Sequence, residues 1–262
     1  EEQKLLLASD ITLAEKVETM RRDFVANVSH ELKSPLTVVA GFLETLTDSE
    51  VELDEQRRQG YLRMMREHTL RMQRLVEDLL TLSALESSRG LSDETPVDVS
   101  SLLAAVRDEA LALSAGRHRI ELSVDGPAVL LANAQELRSA FGNLVSNAVR
   151  YTPAGGDIRL SWSRRAAQTV FSVSDSGPGI EPRHLPRLTE RFYRVDHSRS
   201  RETGGTGLGL AIVKHVLTRH QATLEIESEP GRGSTFSAVF PARRVESAAG
   251  SAPAADLTRS GT

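Results

Sequence analysis

The stretch Phe24-Val-Ala-Asn-Val-Ser-His30-Glu-Leu-Lys-Ser-Pro35-Leu36 carries the pattern that decides the fold of the first part of the chain. Apolar residues recur through it, and on both sides of it, at intervals of three or four, as in a helix with one buried face. The apolar positions of this predicted helix, about residues 21 to 46, are Phe24, Val28, Leu32, Leu36, Val39, Leu43 and Leu46. At about 100° per residue they cover about 120° of the helix, whereas His30 falls at about 240°, on the exposed side.

A second helix with the same spacing follows a short acidic connection between Asp48 and Asp54 and runs to about Glu86. Its stripe comprises Tyr61, Met65, His68, Met72, Leu75, Leu79 and Leu82. We interpret His68 as a packed, structural histidine because it lies within this stripe. Two such helices form an antiparallel hairpin with a half-covered apolar face, and pairing two copies into a four-helix bundle covers it. The sequence therefore predicts a homodimer.

The polar residues 87–96, which include Gly90 and Pro96, are typical of a linker between domains. Beyond them, predicted helices at about 99–114, 133–150 and 207–220 are interspersed with β-like runs. These runs are residues 120–124, 129–131, 158–163, 169–174, 223–228 and 234–240. The mixture predicts a sheet covered by helices on one face, an α/β sandwich. The chain is thus predicted to be multidomain, an all-α hairpin followed by an α/β domain.

Composition excludes several classes of protein. The 262 residues include no cysteine, so disulfides and thiolate metal sites are excluded. The net charge is −4 and no block of Lys and Arg lacks acidic neighbours, so nucleic acid is not an expected partner. No apolar run approaches the ~20 residues that a bilayer demands. The chain begins with Glu, so we expect a fragment whose parent carries any membrane anchor upstream, and residues 242–262 are too polar to pack and predict a disordered tail.

His30 stands beside groups that suit phosphoryl chemistry. Glu31 places a carboxylate next to the imidazole, and Ser34 and Pro35 follow one turn later, the proline removing a backbone donor. A neutral imidazole near pH 7 is a nucleophile, and an adjacent carboxylate can fix its tautomer and take up its proton. A surface histidine without function is the alternative that its position alone allows.

The α/β domain contains three segments that suit a nucleotide. Asn143 and Asn147 lie one turn apart on a predicted helix that continues into Arg150 and Tyr151, and amide oxygens can complete the coordination of Mg²⁺ bound to phosphates. Asp175-Ser-Gly177-Pro-Gly179-Ile180 ends an apolar run, and its carboxylate can accept from the amine of adenine. Gly204-Gly-Thr206-Gly-Leu-Gly209 opens the last helix, whose amides suit phosphates, although it lacks the Gly-Lys-Ser/Thr ending of a P-loop. Taken singly, each segment has another interpretation, since paired asparagines can cap or bridge helices and the glycine motifs can form turns.

In order and spacing, these segments resemble the H-box and the N, G1 and G2 boxes of bacterial sensor histidine kinases, with Glu190-Arg-Phe-Tyr-Arg194-Val-Asp196 similar to the F box. The resemblance covers about residues 15–241 and is strongest to phosphate-regulon sensors. It implies a dimerisation and phosphotransfer domain at 21–87, a linker at 88–98 and an ATP-binding domain of the histidine-kinase/Hsp90-like type at 99–241. Residues 1–20 would be the end of a PAS domain and a connecting helix.

The resemblance also implies roles and partners. His30 would accept the phosphoryl group of ATP with Glu31 as base, Asn147 and Asn143 would bind Mg²⁺, and Asp175 would read adenine. Arg150 and Tyr151 would line the phosphate and ribose side, and Arg194 would approach the γ-phosphate. From the residues themselves, we interpret the segment from Glu190 to Asp196, with the charged, Ser-rich stretch that follows it to Thr203, as a mobile lid. The other expected ATP-binding residues are Gly177, Gly179, Ile180, Gly205, Thr206, Gly207, Leu208 and Gly209. The partner would be the receiver domain of a response regulator, in the cytoplasm, below an inner-membrane anchor of the parent. Family members that also dephosphorylate their partner often carry Thr or Asn where this chain has Ser34.

Two other functions fit parts of the sequence. A degenerate kinase that dimerises and binds nucleotide without transferring it would lack one of the chemical positions, which are all occupied here. A chaperone or topoisomerase ATPase with the same sandwich would lack the helical hairpin with its histidine motif.

Overall fold

The computed structural model describes residues 12–48, 53–87, 93–195 and 205–244. Helices α1, Thr12–Thr47, and α2, Glu55–Ser87, form the hairpin. Phe42 stacks on Tyr61 with ring centroids 4.8 Å apart, and Glu31 pairs with Arg71. The helices run antiparallel, since the partners on α2 rise in number as those on α1 fall. The connecting helix predicted before residue 21 is the first part of α1, whereas residues 1–11, where the end of a PAS domain is expected, lie outside the described residues.

Helix α1 continues through Pro35, which is buried. Pro35 has no N–H to donate to the carbonyl of Glu31, so α1 lacks one backbone hydrogen bond beside His30. The hydroxyl of Ser34 donates to the His30 carbonyl at 3.2 Å. Helix α2 begins behind Asp54, whose Oδ1 accepts from the backbone N–H of Arg57 at 2.7 Å as an N-cap.

The apolar face of the hairpin is partly covered within one chain. Leu75 and Leu82 are buried, whereas Leu36, Leu43 and Leu80 are 58%, 52% and 66% exposed. Leucines on both helices thus leave apolar surface available for a further packing partner. Among the described residues, none of the helices combines the length and apolar content needed to cross a membrane.

The second domain begins earlier than its first helix. Residues Thr95–Asp98, which sequence reasoning placed in the linker, form strand β1 and pair antiparallel with β3, Val129–Ala132. Asp98 then caps α3, Val99–Ser114, by accepting from the backbone N–H of Ser100 at 3.0 Å. The linker prediction was therefore wrong for these residues, because a four-residue strand that contains a proline carries little local signal.

A five-stranded sheet forms the body of this domain within the described residues. Its strands are β2 (Arg119–Asp125), β4 (Asp157–Arg165), β5 (Gln168–Asp175), β6 (Thr223–Glu229) and β7 (Gly233–Pro241). They lie in the order β2-β4-β5-β7-β6, with β2 and β4 parallel and the other neighbours antiparallel. Helices α3, α4 (Ala134–Tyr151) and α5 (Gly209–Arg219) complete the domain, and a 3₁₀ turn at Pro182–Arg187 precedes α5.

The core lies between the helices and one face of the sheet. Phe141 of α4 packs on Phe171 of β5 with centroids 4.2 Å apart, and Trp162 and Phe240 are fully buried beside them. On the other face, serine and threonine hydroxyls bridge β5 and β7, as between Ser172 and Ser237 at 2.9 Å. One-sided covering of a mixed sheet confirms the predicted α/β sandwich.

Part of the predicted disordered tail is ordered. Ala242–Arg244 forms a 3₁₀ turn after β7, and the buried guanidinium of Arg244 pairs with Glu94 at 2.8 Å. The prediction was wrong for these residues, because a contact partner about 150 positions away in sequence has no local signature. Residues 245–262 lie outside the described part of the chain.

Candidate functional site

His30 projects from the side of α1 opposite its packed stripe, and both His30 and Ser29 are exposed. Its neighbour Glu31 turns toward the packed side, where its side chain is 26% exposed. The imidazole is therefore open to a reactant while the adjacent carboxylate lies in a partly dry contact. His68, interpreted as a structural histidine, is half-buried on α2, and its Nδ1 is buried without a hydrogen-bond partner among the described residues.

Arg194 connects the two domains at Glu31. Its Nη2 donates to Oε2 of Glu31 at 3.0 Å and to the carbonyl of Gly205 at 2.5 Å. The side chain is 4% exposed, and its Nε is buried with no hydrogen-bond partner in the described part of the chain. The residue expected to approach the γ-phosphate therefore reaches the residue next to His30 in this arrangement.

The polar face of α4 holds the N-box residues. Asn143, Asn147 and Arg150 recur at helical spacing and are half-buried, whereas Leu144 and Ala148 between them are buried. Nδ2 of Asn143 donates to the carbonyl of Ser139 at 2.9 Å, which leaves its Oδ1 available as an acceptor. Burial lowers the pKa of the Arg150 guanidinium, which lies near Arg74 and Asp78 of α2.

Asp175 ends β5 on the helix-covered side of the sheet. Its Oδ1 accepts from the backbone N–H of Gly177 at 2.8 Å, and burial raises the pKa of its carboxyl. Gly179 leads into Ile180, whose N–H donates to the hydroxyl of Ser228 at 2.8 Å. The strand end thus holds a carboxylate in a partly dehydrated place, as recognition of a purine amine requires.

The loop from Gly205 to Gly209 is shaped by two close approaches. Gly207 has φ of 75° and lies against Phe192, whose N–H donates to the Gly207 carbonyl at 2.8 Å. Gly209, the first residue of α5, lies where an added Cβ would stand 2.5 Å from Oδ1 of Asn143. Gly207 therefore requires glycine for its left-handed backbone, whereas a side chain at Gly209 would displace the amide oxygen of Asn143.

The same loop contacts its neighbours on both sides. Leu208 is buried, and the half-exposed Tyr151 brings its hydroxyl close to Gly205. The loop therefore lies beside the end of α4, so the N-box and G2-box residues share one region.

Contacts across the domain boundary include residues that sequence reasoning missed. The hydroxyl of Thr206 donates to Oδ2 of Asp78 on α2 at 2.6 Å, and burial raises the pKa of Asp78. Within the hairpin, a second residue that sequence reasoning missed, Arg71, donates to Glu31 at 3.0 Å. Neither Asp78 nor Arg71 has a local signal, because an acid or arginine on an amphipathic helix is usually solvated surface.

Apolar and charged contacts extend this boundary. Phe24 of α1 packs against Phe192 with centroids 5.8 Å apart, and the guanidinium of Arg191 lies over the Phe24 ring and pairs with Glu86. The F-box segment thus covers Phe24, the first residue of the predicted apolar stripe of α1, and pairs with Glu86 near the end of α2. Of the predicted lid, residues 196–203 lie outside the described residues, as does Gly204.

Comparison with known proteins accords with this architecture. The family model of the His Kinase A (phospho-acceptor) domain matches residues 20–88, and that of the histidine kinase-, DNA gyrase B- and HSP90-like ATPases matches residues 132–244. Full-length ShkA in complex with AMPPNP superposes with a TM-score of 0.60 and 29% identity, over 84% of this chain and 45% of that one. Histidine kinase ThkA in complex with response regulator protein TrrA gives a TM-score of 0.66 at 20% identity, over 89% and 67% of the two chains.

A phosphoacceptor hairpin followed by this ATPase sandwich defines a histidine kinase, and the chain belongs to that family. Within the family it is similar to the phosphate regulon sensor protein PhoR of Pseudomonas aeruginosa, with 55% identity over 95% of this chain. The match takes in 56% of the length of that protein, so the chain spans just over half of its relative.

Proposed function

We propose that this chain is the kinase core of a two-component sensor, which uses ATP to phosphorylate His30 and passes the phosphoryl group to an aspartate of a response regulator. The observation that carries the proposal is the 3.0 Å contact between Arg194 of the ATP-binding domain and Glu31 beside His30. This contact supports the view that the ATP-binding domain can approach the exposed imidazole of His30.

The chemistry follows from the groups present. A nitrogen lone pair of His30 attacks the γ-phosphorus as the bond from phosphorus to the bridging oxygen of ADP breaks, and Glu31 accepts the imidazole proton. Positioning supplies most of the rate, because phosphoryl transfer needs an in-line approach at about 3 to 3.5 Å. Arg194 must exchange Glu31 for the phosphate during the reaction, and its Nε, which has no partner among the described residues, offers a further donor to that phosphate.

Nucleotide would bind between α4, the end of β5 and the loop that opens α5. Asp175 would accept from the adenine amine, Tyr151 and Arg150 would line the ribose and phosphates, and the amides of 205–209 would face the phosphates at a helix N-terminus. Full-length ShkA was solved with AMPPNP, which supports a nucleotide in this fold at 29% identity.

Magnesium fits the donors on α4. The Oδ1 of Asn143 stays available because the amide nitrogen is engaged by Ser139, and Asn147 repeats one turn later on the same face. Such neutral oxygen donors suit Mg²⁺ whose other ligands are phosphates and water. We propose Asn147 and Asn143 as its protein ligands; the ion neutralises charge on the transferring phosphoryl group when it is bound.

Partners and signal are proposed from the exposed hairpin and from the relatives. The exposed leucines of α1 and α2 suit a second copy of the chain in a four-helix bundle. ThkA was solved with a response regulator, which supports a receiver domain as the substrate here. The likeness to PhoR supports control of phosphate-responsive genes, through a longer parent protein whose membrane attachment stays a prediction.

The proposal is tested by labelling His30. With γ-labelled ATP, the wild-type chain should gain an acid-labile, alkali-stable phosphoramidate, and His30→Gln should lose all of it while binding ATP with unchanged affinity in calorimetry. The matched control is His68→Gln, which removes the other histidine of the hairpin and should keep the label. Label retained by His30→Gln would refute the assignment.

The same experiment separates the two rivals. A degenerate kinase would bind ATP without gaining label, and a chaperone-like ATPase would release phosphate without a phosphorylated histidine. Adding receiver domains to the labelled chain should move the label to an aspartate on the cognate one.

A further inference from the structure

Glu31 lies between two guanidinium groups that belong to different parts of the molecule. Nη2 of Arg71 and Nη2 of Arg194 each donate to Oε2 of Glu31 at 3.0 Å. Arg194 belongs to the ATP-binding domain, whereas Arg71 lies on α2, in the hairpin that carries His30. The carboxylate of Glu31 is therefore held by Arg194, which moves with the ATP-binding domain, and by Arg71, which belongs to the same hairpin as Glu31.

Arg71 is fixed by its surroundings. Its side chain is 16% exposed, against 26% for Glu31. Leu75, one turn further along α2, is buried in the core, and the stacked pair Phe42 and Tyr61 ties the two helices together. The attraction between opposite charges is stronger where water is largely excluded, and the planar guanidinium restricts the orientation of the carboxylate it binds.

The proposed reaction creates a need for such a restraint. When Arg194 turns to the phosphate, Glu31 loses one of its two partners. A glutamate side chain without partners samples many rotamers, whereas a general base must stay within hydrogen-bond distance of the proton it accepts.

We propose that Arg71 is a positioning residue for the phosphorylation of His30. It holds the carboxylate of Glu31 beside the imidazole while Arg194 binds the transferring phosphate. The inference rests on the proposed function, since it assigns a role within that reaction.

The test measures kcat and KM for ATP in His30 labelling with the full chain. Arg71→Gln should lower kcat about tenfold, part of the roughly 10²- to 10⁴-fold that general-base catalysis supplies, and leave KM unchanged. Arg71→Lys, which keeps a cation at the end of a long stem, should recover most of the loss. The control is Arg63→Gln, an exposed arginine earlier on α2, which should match wild type.

A double-mutant cycle shows whether Arg71 acts through Glu31. In a Glu31→Gln background, Arg71→Gln should change kcat by less than about twofold, because the group it positions is gone. An equal loss in both backgrounds would mean a structural role, and a raised KM would mean a phosphate contact; either result overturns the inference. If Arg71→Gln melts below the assay temperature, Arg71→Lys takes its place in the cycle, with a smaller loss that again depends on Glu31.

The two levels of proposal fail differently. A wild-type chain that never labels His30 removes the proposed function and this inference together. If the wild-type chain labels normally and Arg71→Gln has the same kcat, the inference alone is overturned.

Discussion

Substitution of Gly209 by alanine should separate nucleotide affinity from stability. A Cβ at this position would stand 2.5 Å from Oδ1 of Asn143, well inside contact distance, and the flexible amide is the group that can yield. Displacing one oxygen that contacts a charged ligand costs about 1.5–3 kcal/mol, so the Kd for Mg-ATP should rise about 10- to 150-fold. Stability should hold, since alanine is favoured over glycine in a helix by about 1 kcal/mol.

The matched control is Gly142→Ala on α4, directly beside Asn143 in sequence. A Cβ there meets no atom of the described chain within 4 Å, so the same change should leave affinity alone and add stability. Calorimetric titration with AMPPNP and Mg²⁺ gives the affinities, and urea unfolding gives the stabilities. Equal affinity of Gly209→Ala and wild type, or an equal loss in Gly142→Ala, would refute the contact between Asn143 and the ligand.

Two titratable groups give further predictions. His220 is fully buried, donates from Nδ1 to the Val216 carbonyl at 2.8 Å, and burial lowers its pKa. Below about pH 6.5 the unfolded chain therefore binds a proton that the folded chain does not. The free energy of unfolding should decrease as the pH is lowered, by at most about 1.4 kcal/mol at pH 5.5. Urea unfolding at pH 7.5 and 5.5 checks this, and the same pH slope in His220→Gln would contradict it. Burial raises the pKa of Asp78, so its charge opposes folding above the ordinary carboxyl pKa. Asp78→Asn, which can still accept a hydrogen bond from Thr206, should raise the melting temperature at pH 7.5 by about 2–4 °C per kcal/mol recovered. Glu77→Gln, at an exposed position, serves as the control. A lower melting temperature of Asp78→Asn would contradict the prediction and show that the charge stabilises the contact.

In the docked arrangement, side chains expected to bind the nucleotide contact the hairpin. Glu31 and Asp78 present carboxylates to Arg194 and Thr206, two groups expected to face phosphates. Anionic oxygens of the hairpin thus occupy donors that nucleotide phosphates would also use. If Arg194 and Thr206 bind phosphates as proposed, phosphate binding and this form of docking compete for the same groups.

The elements that the sequence predicted are those with a repeating local pattern. The period of three to four in α1 and α2, the β-like runs of β4 and β5, and the glycines of the nucleotide loop can each be recognised within a short window. The α/β sandwich was predicted correctly for this reason. The placement of His30 outside the packed stripe also follows from one helical repeat.

Tertiary structure decided what depends on distant partners. Strand β1 exists because Thr95–Asp98 meets β3, and Arg244 is ordered because it meets Glu94. The contacts of Glu31 with Arg194 and of Asp78 with Thr206 join segments more than 120 residues apart in the chain. By itself, the sequence determined the long helices, the strands of the five-stranded sheet and the chemical groups offered to a nucleotide and a phosphoryl acceptor. Only the folded chain decided which of those groups face one another, because pairing across domains depends on packing geometry that no local window contains.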